Sequence, residues 1–199
     1  LRVAMAAIER LPRPILAVGA GAAAYILQRE YPLRKMALVL DTLLAESVVN
    51  SIVLLSDQDT KNRMAPLAEA IAGRGLDLCG ELTISASAKV MSLCDAALAV
   101  DGGLLHIALS TGLPVVALYG PTEIFTEDPR GEDNGRYTYL SAFPHCKCLC
   151  LNHRGIKVRE ECRHESQCLN GIDPARIVAA VRELLGSKEG GQACLDARS

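Results

Sequence analysis

Aromatic residues are scarce in this 199-residue chain, at 4 % of the total. With 50 % of residues hydrophobic, its core must be built from Leu, Val, Ile and Ala, and the length suits one medium domain. Long apolar runs are missing too. None reaches the roughly 18 to 20 residues that span a bilayer, and no charged stretch followed by a cleavable apolar segment opens the chain. The sequence therefore reads as that of a cytoplasmic protein. Clustered Lys and Arg are lacking, the net charge of −2 being spread along the chain, which argues against nucleic acid or an anionic membrane as a direct partner. The first residue is Leu1 rather than Met, which suggests that further chain precedes it. A small disulfide scaffold is excluded by distribution: of the eight cysteines, five fall between Cys146 and Cys168.

From Pro14 to Leu118 short apolar runs alternate with longer segments of helical spacing, the pattern of repeated βαβ units. Strands are expected at 15–18, 52–55, 76–78, 97–100 and 115–118, and helices at 35–47, 61–74, 87–94 and 104–111. The implied fold class is α/β, a Rossmann-like doubly wound parallel sheet. Gly73 and Gly75 lie around a helix end, Thr83 or Ser85 can cap a helix, and Gly112 with Pro114 closes the helix before the last strand. After Gly120 the composition turns to Pro, Gly, charged residues and Cys, until Asp173 caps a final helix at 174–185. One domain over 1–185, with a Cys-rich loop at 145–168 and a frayed tail at 186–199, is the expected organisation.

Gly19-Ala20-Gly21-Ala22-Ala23-Ala24 matches the G-x-G-x-x-A dinucleotide fingerprint and would suggest an oxidoreductase. That fingerprint needs an acidic residue about 20 positions on, at the end of the second strand, to hold the ribose. Asp57 stands much farther along, and Pro32 interrupts the intervening segment. A flexible strand-to-helix turn, with Gly19 facing a ligand that lacks nicotinamide, fits better.

The stretch that carries chemistry is Asp101-Gly102-Gly103-Leu104-Leu105-His106, followed by Gly112-Leu113-Pro114 and Tyr119-Gly120-Pro121-Thr122. It starts at the carboxyl end of a strand, where open α/β sheets bind ligands, and runs into a helix. Such a helix start offers unpaired backbone N–H groups and the positive end of the dipole to a phosphate. Gly102 and Gly103 carry no side chain to block close approach, and His106 adds a donor one turn on. Gly120 and the Thr122 hydroxyl, at the end of the next strand, face the same crevice. Taken singly, Asp101 reads equally as a helix cap, His106 as a surface histidine and Gly-Pro-Thr as a turn; their placement at two neighbouring strand ends favours a site.

D-G-G-L-L-H followed by G-L-P-V-V-A-L-Y-G-P-T resembles the signature of glycosyltransferase family nine, the ADP-heptose lipopolysaccharide heptosyltransferases. The resemblance runs from the first strand to the last helix. Arg29-Glu30-Tyr31-Pro32 occupies the place of the family's Lys-Arg-Trp-Pro-like segment, and Gly102 stands where the family has Ser or Thr, removing one hydroxyl. The resemblance implies the C-terminal half of a two-domain GT-B glycosyltransferase that inverts the anomeric centre without a metal or other cofactor. It implies that Arg29 pairs with a pyrophosphate, that Asp57 or Asp59 contacts a ribose, and that the catalytic base and the acceptor site belong to an N-terminal domain preceding Leu1. The implied partners are a nucleotide-diphosphate sugar, ADP-heptose foremost, and a lipopolysaccharide-type acceptor, with the whole enzyme peripheral to the inner membrane. Two other functions stay open: a stand-alone nucleotide-sugar-binding or interaction module, and a sugar-nucleotide epimerase, whose catalytic carboxylates are not recognisable.

Cys146, Cys148, Cys150, Cys162 and Cys168, with His145, His153 and His164 among them, have the donor chemistry for structural zinc. Their spacing is not the paired C-x-x-C of a zinc ribbon, so an iron–sulfur site, disulfides and free thiols remain alternatives.

Overall fold

The computed structural model describes residues 1–21, 30–120, 136–141, 151–152, 155–156 and 168–186. Six strands, β1 (Ile15–Gly19), β2 (Ser51–Leu54), β3 (Gly75–Asp77), β4 (Ala96–Val100), β5 (Val115–Tyr119) and β6 (Tyr137–Ser141), form one sheet in the order β3-β2-β1-β4-β5-β6. All its neighbours are parallel. Among the described residues six α-helices accompany it: α1 (Arg2–Ile8), α2 (Leu33–Ala45), α3 (Ala65–Ala70), α4 (Ile84–Met91), α5 (Gly103–Ser110) and α6 (Pro174–Gly186). A separate two-stranded antiparallel pair, β7 (Leu151–Asn152) and β8 (Gly155–Ile156), falls within the stretch read from sequence as a Cys-rich loop.

Every residue of β1, β2, β4 and β5 is buried, as parallel strands covered on both faces require. The pleat divides their side chains between two faces. Leu16, Val18, Leu98, Val116 and Leu118 point to the face covered by α2, α3 and α6, where Met36, Leu40, Leu67, Ile177 and Val181 meet them. Ala17, Ala97, Ala99 and Ala117 point to the other, with Val90 and Met91 of α4, Leu105 and Ala108 of α5, and Ile8 of α1. Each fully buried Leu, Ile or Val on either face contributes about 1.5 to 3 kcal/mol.

Local chemistry explains most element ends. α2 buries Met36, Val39, Leu40, Leu43 and Leu44, a single stripe at helical spacing. Thr83 caps α4 by accepting from the Ala86 N–H at 3.3 Å, which starts this helix three residues before the predicted 87. Asp173 Oδ1 accepts from the Ala175 N–H at 2.9 Å at the head of α6, as its position predicts. Gly112, at φ 70°, closes α5.

Three expectations needed correction. The helix expected over 61–74 is a 3-10 turn (Lys61–Met64) followed by a short α3, because Pro66 lacks the N–H that would continue an α-helical ladder from the preceding residues. β6 was not foreseen: Tyr137-Thr138-Tyr139-Leu140 is β-branched and aromatic, but it follows a polar, Gly- and Pro-containing stretch. α1 was also missed; its Ala-rich sequence favours a helix, yet Ile8 alone is buried, so no periodic stripe marks it.

Two polar junctions hold the sheet's ends. At the amino end, Asp95 joins β4 to β1: its Oδ2 accepts from the Ile15 N–H at 2.8 Å, its Oδ1 from Arg13 at 3.0 Å, and its own N–H donates to Ile15 O. Toward α6, the fully buried Tyr31 donates its hydroxyl to Ile172 O at 2.9 Å, and Lys35 donates to Asn170 O at 2.7 Å. Burial, with Asp173 adding to it, pushes the Tyr31 phenol up to about 12, so it stays a donor. Among the described residues no helix is long and apolar enough to cross a membrane.

Gly75 starts edge strand β3 so near β2 that an added Cβ would lie 2.0 Å from Ile52 O. Because the obstacle is backbone, Gly75→Ala is expected to lower stability by about 3 kcal/mol in urea denaturation. A loss below about 0.5 kcal/mol, the range of surface substitutions, would show that the close strand contact is wrong.

Candidate functional site at the switch point of the sheet

The strand order reverses direction between β1 and β4, and there the carboxyl ends of adjacent strands diverge into connections on opposite faces. Gly19 pairs with Ala99, so the residues leaving β1 and the Asp101-Gly102-Gly103 stretch leaving β4 emerge side by side. Val100 pairs with Leu118, and the Asp101 N–H donates to Leu118 O at 3.0 Å, which brings Gly120 to the same rim. Asp101, Gly102, Gly103 and Gly120 are thus gathered as the sequence predicts.

α5 begins directly at this point. Gly102, its N-cap, is fully extended and offers no side-chain cap, so the first N–H groups of the helix have no acceptor within it. A Cβ added at Gly102 would find only Val100 O, at 3.8 Å, and at Gly103 nothing within 4 Å. Among the described residues nothing crowds either glycine, so their packing demands neither. Asp101 is 1 % exposed, and His106 lies on the exposed side of the first turn. Donors and a positive dipole end therefore crown a buried carboxylate.

Gly19 has a packing duty: a Cβ there would stand 2.9 Å from Leu104 Cβ, so glycine is what allows α5 to start against β1. A Cβ added at Gly21 would likewise stand 3.0 Å from Oγ1 of the enclosed Thr60, a neighbour that no sequence pattern announced. Thr60 is held by Asp57, whose Oδ1 accepts from the Thr60 N–H at 2.8 Å and hydroxyl at 2.7 Å. Asp57 thus spends one oxygen on its own turn, while Asp59 is exposed on the same connection. Arg29 and Thr122 lie outside the described residues, as do Cys146, Cys148, Cys150 and Cys162; Cys168 opens the 3-10 turn Cys168–Gly171. Among the described residues no group of three or more His, Cys, Asp or Glu side chains is placed to hold a metal. Cys79 and Cys94 are buried and free, and burial pushes both thiols up to about 12, so neither is a nucleophile near neutrality.

Comparison with known proteins agrees with this geometry. Lipooligosaccharide heptosyltransferase 2 of Campylobacter jejuni is 22 % identical over 108 residues, 54 % of this chain and 31 % of that protein. The ADP-heptose lipopolysaccharide heptosyltransferase II of E. coli superposes with a TM-score of 0.69 at 21 % identity, covering 95 % of this chain and 53 % of that one. A family 9 glycosyltransferase of Veillonella parvula gives a TM-score of 0.74 at 19 % identity, over 94 % of this chain and 50 % of that one. The chain spans about half the length of these solved relatives and matches their C-terminal half. The model of glycosyltransferase family 9 (heptosyltransferase) matches residues 2–147, well over half of the chain. With its sheet order, its crevice and this match in agreement, the chain belongs to glycosyltransferase family 9, the heptosyltransferase family.

Proposed function

We propose that this chain is the donor-binding half of an inverting glycosyltransferase that takes heptose, or a related sugar, from an ADP-linked donor during lipopolysaccharide core assembly. The observation that carries the reading is the uncapped start of α5 at the β1/β4 switch point, next to a buried carboxylate. Its backbone N–H groups, His106 and Gly120, together with Thr122 and Arg29, receive the diphosphate. Asp101 repels phosphate and so faces sugar hydroxyls, which can donate to it. Asp59, or the second oxygen of Asp57, takes the ribose. The name of the E. coli relative, an ADP-heptose lipopolysaccharide heptosyltransferase, supports the choice of nucleotide and sugar.

In this reading the acceptor hydroxyl, deprotonated by a base in the other half of the enzyme, attacks the anomeric carbon as the diphosphate departs. This half supplies no base. Its task is to stabilise the negative charge that grows on the leaving diphosphate, and preorganised amides at a helix start do so without reorganising. The acceptor, a lipopolysaccharide-type molecule, is reached through the other half, at the cytoplasmic side of the inner membrane.

Calorimetric titration with ADP, UDP and GDP tests the donor reading. ADP is expected to bind selectively, and His106→Ala to weaken it about tenfold, the loss of one charge-assisted hydrogen bond. Equal affinity for all three nucleotides, or unchanged binding in His106→Ala, would sink the assignment. The Cys-rich stretch we propose to hold structural zinc, its thiolates and imidazoles having the right chemistry. Protein prepared without chelator is then expected to carry about one equivalent of metal by elemental analysis. Less than a tenth of an equivalent would end that idea.

A further inference from the structure

The connection that leaves β2 carries two carboxylates in unlike surroundings. Asp57 Oδ1 accepts from the Thr60 N–H at 2.8 Å and from the Thr60 hydroxyl at 2.7 Å. Two donors occupy that oxygen and close a turn over residues 57–60. Asp59, within the turn, is exposed, and among the described residues its carboxylate has no hydrogen-bond or ion-pair partner.

The turn is held from both sides. Thr60 is 1 % exposed, and a Cβ added at Gly21 would stand 3.0 Å from its Oγ1, so the chain leaving β1 passes close to it. On the other side the Gly80 N–H, on the chain leaving β3, donates to Ser56 O at 2.9 Å. Gly80 lies at φ 71°, and a Cβ there would come within 2.7 Å of Gln58 Oε1. Lys61, next after Thr60, pairs with Glu81. The residues that flank Asp59 are therefore fixed while its own side chain stays available. A carboxylate on such a turn meets a ligand with little further ordering, whereas one on a free loop must first lose backbone freedom.

The placement suits a donor whose diphosphate lies at the start of α5. Only β1 separates β2 from β4, so the turn stands two strand spacings, roughly 10 Å, from the strand that feeds the helix. A ribose joined to that diphosphate reaches this far. Its hydroxyls donate to carboxylates, and Asp59 has both oxygens to receive them.

We propose that Asp57 and Thr60 are positioning residues: the bonds between them fix the 57–60 turn so that Asp59, and not Asp57, is presented to the ribose hydroxyls of the donor. The inference rests on the donor-binding reading above and deepens it. Asp57 acts as an acceptor for Thr60, a task that needs an oxygen but no charge.

The test measures, by calorimetry on the full chain, the preference for ADP over 2′,3′-dideoxy-ADP, which lacks both hydroxyls. The unaltered chain is expected to prefer ADP about tenfold, as hydrogen bonds to a charged group give. Asp59→Ala is expected to abolish the preference, and Asp57→Ala and Thr60→Val to cut it at least about threefold while dideoxy-ADP affinity stays within about twofold. Asp57→Asn and Thr60→Ser, which keep the acceptor and the hydroxyl, are expected to retain it. Thermal unfolding of each variant separates these effects from loss of the fold. A preference lost in Asp57→Asn but kept in Asp59→Ala would make Asp57 the ribose contact and overturn the proposal. So would an unchanged preference in Asp57→Ala and Thr60→Val, or equal losses for both ligands. Equal binding of the two ligands by the unaltered chain would overturn it while leaving the donor reading in place, whereas failure to bind ADP at all would overturn both.

Discussion

The first turn of α5 lies so close to β1 that no side chain fits between them, and the site depends on that contact. A Cβ on Gly19 would stand 2.9 Å from Leu104 Cβ. Ala17, Ala97, Ala99 and Ala117 share this face with the larger Ile15, Val53, Val115 and Tyr119, packed with residues of α4 and α5. The opposite face packs its own cluster against α2, α3 and α6. Through the contact at Gly19 the positive end of a helix is delivered to the point where the strand order reverses, over the buried Asp101.

A second constraint acts on the connections rather than on the sheet. The amino edge of the sheet is fastened by Asp95 to the backbone of Ile15, far from the crevice. At the carboxyl edge the fastening is through side chains on connecting segments: Asp57 on Thr60, Thr60 against Gly21, and Glu30 on Arg63. Tyr31 and Lys35 then tie the start of α2 to the segment that leads into α6, so α6 is coupled to the entry of α2. The arrangement puts buried polar groups close to the candidate site, where they specify one conformation at some cost in desolvation.

Most of the sheet, and the place of Asp101 to Gly103 where β4 runs into α5, could be read from the sequence because they rest on local pattern. Short apolar runs located five of the six strands within one or two residues, and Thr83 and Asp173 act as the caps their positions promised. Pro66 shows where pattern misled: the apolar spacing over 61–74 is helical, but the missing N–H divides it. β6 escaped because its pairing with β5 is a long-range contact across a stretch of polar residues. Asp101 to Gly103 were chosen as candidates from their place at a strand end, whereas Gly19, chosen as a ligand glycine, has a packing reason. The Glu30–Arg63 and Gly21–Thr60 contacts join residues more than thirty positions apart, and no spacing rule predicts such pairs.

The central claim is that the donor diphosphate sits at the start of α5 between the ends of β1 and β5. Backbone amide shifts of the isotopically labelled chain, recorded as ADP is added, test it most directly. The account predicts that the largest changes fall on Gly19 to Gly21, Gly102 to His106 and Gly120, with the amides of Ile15 and Asp95 at the opposite edge unmoved. Changes concentrated at that opposite edge, or spread evenly over the sheet, would contradict it.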